Sequence, residues 1–181
     1  MGAFDTALSL VLKEEGIYSN DAADSGGETV YGISRVYNPS WSGWAKVDSY
    51  AALIPAASAH AKAIAADSEI TTLVAKFYQS EWTAAQCDKL PVPLCIAYFD
   101  CYVNQGQGAA PKLLQEAVGA PVDGVLGPVT IARAAANPEA FELFMAQRIL
   151  SYTHDKGWPT FGLGWTKRDI QVTMACMKVQ A

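Results

Sequence analysis

The chain has 181 residues, 51% of them hydrophobic and 17% charged, which supplies ample apolar material for one folded domain and excludes a disordered chain. With 13 Lys and Arg against 18 Asp and Glu the formal net charge is −5, which argues against a protein that holds nucleic acid by neutralising phosphates. No apolar run approaches the about 20 residues that a bilayer-spanning helix needs, because the Ala-rich tract from Ala51 to Ala66 is broken by Pro55, His60 and Lys62.

The N-terminus carries Asp5 instead of a basic segment, and Glu14-Glu15 stands where a small-residue cleavage site would fall, so the reading is a protein made without a signal peptide. Cys87, Cys95, Cys101 and Cys176 form no CxxC pair, and His60 lies far from His154, so neither a metal site nor a cofactor is expected.

Phe4 to Glu15 reads as an amphipathic helix, with Phe4, Ala7, Leu8, Val11 and Leu12 on one stripe and Asp5, Ser9 and Lys13 opposite. At about 100° per residue, Glu15 falls between Leu8 and Leu12 and faces inward, whereas Glu14 sits at the stripe's edge. Gly16 then ends the helix. Ile17 to Ser34 reads as an irregular polar loop with a turn at Ser25-Gly26-Gly27, followed by a short strand or hairpin from Glu28. Tyr37 to Trp44 is aromatic and turn-forming, and Tyr37, Trp41 and Trp44 are candidate platforms for sugar rings. Helices are expected over Tyr50 to Ala66, Ile70 to Cys87, Leu94 to Asn104 and Ala109 to Val118. Further helices are expected from Pro128, from Asn137-Pro138 to about Tyr152, and from Thr166 to the end, the last preceded by the loop Lys156 to Trp165. The fold class is therefore mainly α, and no repeat or tethering linker divides the chain.

Glu15, Asp21, Asp24, Glu28 and Thr29 crowd one helix end and one loop. Hydrolysis of a glycosidic bond needs a carboxylic acid to protonate the leaving oxygen and a second group that activates water or stabilises the cationic transition state. Desolvation on an apolar face raises a glutamate pKa toward neutrality, while a hydrated loop aspartate stays ionised, which assigns the acid to Glu15 and leaves the second role to Asp24 or Asp21. The alternative is that these groups only cap turns. Downstream, Trp82, Tyr98 and Phe99 fit core packing better than ligand contact. Asp100 and Asn104, one helical turn apart, either point together into a cleft or cap a neighbouring backbone.

The string EGIYSNDAADSGGETVYGIS, Glu15 to Ser34, resembles the signature of the glycoside hydrolase family 108 N-acetylmuramidases, approximately E-G-G-Y-x-N-D-x-x-D-x-G-G-x-T-x-x-G-I-[ST], with Ile17 in place of the second glycine. Further stretches resemble the same family. They are Tyr78 to Trp82 with Asp88-Lys89-Leu90-Pro91, Phe99-Asp100 with Val103-Asn104-Gln105-Gly106, and Leu114-Gln115 with Val122-Asp123-Gly124 and Gly127-Pro128-Val129-Thr130. Phe161, Gly164-Trp165 and Arg168 complete the set. The resemblance implies a lysozyme-like α+β fold with a small β-hairpin after the first helix. It also implies a catalytic region over 1–90 and a helical peptidoglycan-binding-like region over 91–181.

The same resemblance implies Glu15 as catalytic acid, and the Glu, Asp, Thr order of phage-type lysozymes makes Asp24 and Thr29 its partners. Tyr18, Asn20, Asp21, Tyr31, Asp100 and Asn104 are the expected substrate-binding residues. The expected partner is the peptidoglycan glycan strand, met by a monomer that reaches the wall through a holin or a secretion system, with no membrane insertion and no nucleic acid. Because the wall is anionic and the chain carries −5, binding must depend on a local cleft instead of the whole-protein field.

Overall fold

The computed structural model describes residues 2–20, 27–53 and 57–180. The chain divides into two compact units, Val11–Glu81 and the larger one formed by Met1–Leu10 with Trp82–Ala181. The boundaries fall inside α1 (Ala3–Glu14) and α4 (Ser68–Ala84).

Within Val11–Glu81, β1 (Tyr18–Ser19), β2 (Thr29–Val30) and β3 (Ile33–Ser34) form an antiparallel sheet in the order β1-β2-β3. Tyr18 lies opposite Val30, and Val30 opposite Ile33. The β2–β3 turn is the pair Tyr31-Gly32, with φ of +47° and +81°. Two-residue hairpins favour positive φ at both central positions because that backbone twist matches the strands. The sheet, α2 (Trp44–Leu53), α3 (Ala57–Ala66) and α4 bury Val30, Ile33, Val47, Ile64, Ile70 and Val74.

Two boundaries in this unit differ from expectation. The helix expected from Tyr50 to Ala66 is described as α2 up to Leu53 and α3 from Ala57, with 54–56 outside the described residues, and α2 begins earlier, at Trp44, whose indole donates to the Asn38 carbonyl at 2.7 Å. Trp44 is only 4% exposed and braces the core, so it offers no platform to a sugar, whereas Tyr37 is 74% exposed. α4 starts at Ser68, ahead of Ile70, because Asp67 caps it by accepting from the Glu69 and Ile70 backbone N–H groups at 2.8 and 3.2 Å. The Tyr50 hydroxyl, followed by these N–H groups, holds the Asp67 carboxyl down at about 2.

The larger unit is built around α5 (Leu94–Asn104), in which every residue from Leu94 to Cys101 is buried. A helix buried on all sides must be surrounded, and α6 (Ala109–Ala117), α8 (Ala140–Thr153) and α9 (Trp158–Gln180) pack on it, while α7 (Pro128–Ala136) leans on α6. Trp82 sits edge-on to Phe4 and Phe99 at 5.7 and 5.2 Å, so Trp82, Phe99 and the equally buried Tyr98 are core residues. The four cysteines are free and buried. Burial pushes the Cys95 thiol up to about 11, and those of Cys101 and Cys176 to about 12, so they behave as small apolar groups instead of nucleophiles.

α9 begins at Trp158, well before the expected Thr166. Pro159 is tolerated in a first helical turn. Gly162, which reads as a breaker, serves packing, since a Cβ there would lie 2.6 Å from the Trp158 ring. The Asp123-Gly124 turn is clamped by the fully buried Gln115. Its amide donates to the Asp123 carboxylate at 2.6 Å, and its oxygen accepts from the Gly124 N–H at 2.9 Å.

Candidate active site

Glu15 follows the last residue of α1, and its backbone N–H still donates to the Val11 carbonyl at 3.2 Å. Val11 is completely buried, so Glu15, one turn further on, continues the buried stripe at half-burial. Gly16, at φ +62°, then turns the chain away toward β1.

The Glu15 side chain lies against the β2–β3 turn. A Cβ built on Gly32 would stand 2.8 Å from Glu15 Oε2, 2.9 Å from Glu15 Cγ and 2.7 Å from Tyr78 Oη. Gly32 is thus required twice, by its positive φ and by the close approach of a carboxylate and a phenol oxygen. Tyr78, on the buried face of α4, donates to the Tyr31 carbonyl at 2.7 Å and pins the turn from below. Tyr31 holds φ +47°, an uncommon conformation for a non-glycine residue, and burial raises its phenol pKa. Backbone strain of this kind, next to a half-buried carboxylate, is a recurrent property of functional sites.

Two variants probe this corner. Gly32→Ala is expected to destabilise the fold by about 1–3 kcal/mol through overpacking, and to lower activity by more than that loss explains, as read from thermal melts beside wall-clearing rates. Tyr78→Phe removes the hydrogen bond to the Tyr31 carbonyl and is expected to cost at least about 1 kcal/mol in denaturant unfolding.

Tyr18, in β1, donates to Glu28 Oε1 at 3.0 Å and packs its ring on His60 at 4.4 Å. Burial, then the bond to Glu28, raises its phenol pKa. Glu28 also accepts from Arg35 Nε at 2.5 Å, and Arg35 continues to Asp48 at 2.5 Å while lying 4.3 Å over the Trp44 ring. Glu28 is thereby committed to a network that holds the sheet edge. The Thr29 hydroxyl donates to the Gly27 carbonyl at 3.2 Å, and Asn20 is exposed just beyond β1. Asp21 and Asp24 lie outside the described residues.

The structure brings Glu15, Tyr31, Gly32 and Tyr78 together. Neither Gly32 nor Tyr78 follows from the sequence reading as a neighbour of the acid. The available signal was a tyrosine on an apolar helix face, whose hydroxyl needs a buried partner.

Asp100 and Asn104 belong to the larger unit. Asp100 is fully buried and accepts from Arg148 at 2.9 Å on Oδ2 and from Arg168 at 2.9 Å on Oδ1, with Arg168 Nε spanning both oxygens at 3.3 Å. With both oxygens enclosed and paired, its carboxylate binds two helices together and presents nothing to a sugar. Asn104 is exposed and accepts from the Tyr152 hydroxyl at 3.1 Å. Among the described residues no cluster of three or more His, Cys, Asp or Glu is arranged to hold a metal, and no helix is long and apolar enough to cross a membrane.

A mainly helical chain with a small three-stranded antiparallel sheet following its first helix, and a glutamate delivered from that helix onto the sheet's turn, is a lysozyme-like α+β fold. The family model for glycosyl hydrolase 108 matches residues 8–106, and the chain belongs to that family, which makes it a glycoside hydrolase by class. Among solved structures it is similar to the "Structure of Brucella abortus SagA", with 26% identity and a TM-score of 0.71 over 98% of this chain and 95% of that one. No curated protein matches it.

Proposed function

We propose that this chain is a peptidoglycan hydrolase of the N-acetylmuramidase type, cleaving the β-1,4 bond between N-acetylmuramic acid and N-acetylglucosamine. The observation that carries the proposal is the Glu15 carboxylate, half-buried at the end of α1 and seated on Gly32 beside Tyr78, at the head of the motif that the family model covers. In this reading Glu15 gives its proton to the glycosidic oxygen as the bond to the anomeric carbon breaks. Asp24 is the proposed partner that activates water or stabilises the developing cation, with Asp21 as substitute, and the Thr29 hydroxyl helps to hold the water.

Tyr18, Asn20 and Tyr31 are proposed to contact the glycan near the acid. Residues 1–90 are proposed to carry catalysis, and 91–181 to contribute to wall binding. The enzyme would act as a monomer in lysis, reaching the wall through a holin or a secretion system.

The deciding experiment digests purified peptidoglycan and weighs the products. Hydrolysis adds one water and leaves a reducing N-acetylmuramic acid end. A lytic transglycosylase closes the sugar's own C6 hydroxyl onto the anomeric carbon, adds no water and leaves an anhydro end. A wall-binding protein without turnover releases neither. Reducing muramic ends support the proposal, and either other outcome replaces it. Asp24→Asn is expected to lower the rate of wall clearing less than loss of Glu15 does, and full activity in that variant would move the second role to Asp21 or to no second carboxylate.

A further inference from the structure

The larger unit contains a cavity of about 540 Å³, lined by Asn104 among others, which the reading above does not single out within the proposed wall-binding region of 91–181. That volume lies within the range of about 300–1,000 Å³ usual for small-ligand sites. Its wall includes the half-exposed ring of Trp165 on α9, held by Tyr152 at 5.1 Å and by Phe161 at 5.9 Å. Asn104, Lys112, Glu116 and Asp155 bring polar groups to the same space.

These groups are partly committed in a consistent way. Asn104 Oδ1 accepts from the Tyr152 hydroxyl at 3.1 Å, which orients the amide, and its NH₂ has no partner among the described residues. Glu116 spends Oε2 on the Gln147 amide at 3.1 Å, and Asp155 spends Oδ1 on the Gly157 N–H at 2.7 Å, so each keeps one carboxylate oxygen unspent. Lys112 rests its methylenes over Gly124, where a Cβ would lie 3.1 Å from Cε, and its ammonium has no partner among the described residues. One cation against two carboxylates does not select a strongly charged ligand. A pre-oriented amide donor, an ammonium and two half-free carboxylates around an indole suit a neutral, hydroxyl-rich ring with an apolar face.

Building on the glycan-hydrolase reading, we infer that this cavity is a saccharide subsite for an N-acetylhexosamine of the glycan strand. Trp165 is the platform for the apolar face of the ring, the Asn104 amide donates to the acetamido carbonyl, and Lys112, Glu116 and Asp155 bind hydroxyls. Asp100, buried beneath on the same helix as Asn104, takes no part.

The test uses the full chain carrying Glu15→Gln, so that turnover does not consume the probe, and titrates it with the β-1,4-linked tetramer of N-acetylglucosamine. Calorimetry gives affinity, and ¹⁵N-labelled indole resonances report which tryptophan responds. Saturable binding that shifts the Trp165 indole signal is expected. Adding Trp165→Ala is expected to weaken binding at least tenfold, and adding Lys112→Ala several-fold. Lys112 is exposed, so its removal tests the site should the tryptophan variant fail to fold.

An unmoved Trp165 resonance, absence of binding, or undiminished affinity in the Lys112→Ala protein overturns the subsite. The outcome is separable from the catalytic reading. Loss of wall clearing on Glu15→Gln with no Trp165 response removes the subsite alone. A Trp165 response with wall clearing retained by Glu15→Gln removes the general acid alone.

Discussion

Glu15→Gln is expected to abolish the clearing of purified cell walls, by at least about 100-fold and up to about 10,000-fold, the usual contribution of a positioned general acid. The substitution isolates the proton. Glutamine keeps the length of the side chain, so the contact with Gly32 and the end of α1 survive, and the melting temperature should stay close to that of the parent. Only the ability to release a proton onto the leaving oxygen is lost. A clearing assay, run beside circular dichroism on the same sample, separates this from misfolding. The parent's kcat/KM against pH should show a basic limb reporting ionisation of the free enzyme's acid, and the residual rate of the variant should lack it. A variant that clears walls at half the parent rate would remove Glu15 from the chemistry, whatever its position in the motif.

The inward aim of Glu15 was legible because helix period alone places it one turn beyond Val11 on the apolar stripe. Its receiving surface was not, because the Gly32 turn and the Tyr78 hydroxyl arrive from distant parts of the chain, and periodicity carries no information about long-range contact. The start of α9 was misplaced for a related reason. Gly157, Gly162 and Gly164 look like loop residues, yet Gly162 is small so that the Trp158 ring can lie against the helix.

Asp100 read equally well as a cleft residue or a backbone cap, since its arginine partners lie on α8 and α9. A usable hint existed in the helices themselves. Arg148 shares a stripe with Phe144 and Tyr152, and Asp169 shares one with Val172 and Cys176, which marks charges that must find each other inside.

That buried group carries the largest stability effects. Arg148, Asp100 and Asp169 are at most 1% exposed, and Arg168 closes the cluster from its edge. Asp100→Ala would leave Arg148 in the core with the neutral acceptors of Gln105 and Tyr152 and with Asp169 as its remaining carboxylate, whose oxygen lies 3.1 Å from the guanidinium but is not aligned with it as a hydrogen bond. Removing one member of a buried ion pair costs about 3–5 kcal/mol. At about 2–4 °C per kcal/mol for a chain of this size, the melting temperature should fall by roughly 10 °C.

Asp169 should behave in the opposite sense. Burial, opposed by Arg148, pushes its carboxyl up to about 6 from an ordinary 3.8, so the folded state binds this proton more tightly than the unfolded chain. A raised acid stabilises fully below the unfolded pKa and loses that contribution as pH rises through the folded one, here between about 4 and 6. At about 1.4 kcal/mol per unit, the loss approaches roughly 3 kcal/mol. Asp169→Asn abolishes this titration while giving up an oxygen pair that accepts no hydrogen bond among the described residues. Denaturant unfolding at pH 4 and pH 7 should therefore show the variant gaining on the parent as pH rises. A difference that stays constant with pH would mean that Arg148 keeps Asp169 ionised throughout, and that the cluster holds two charges of each sign.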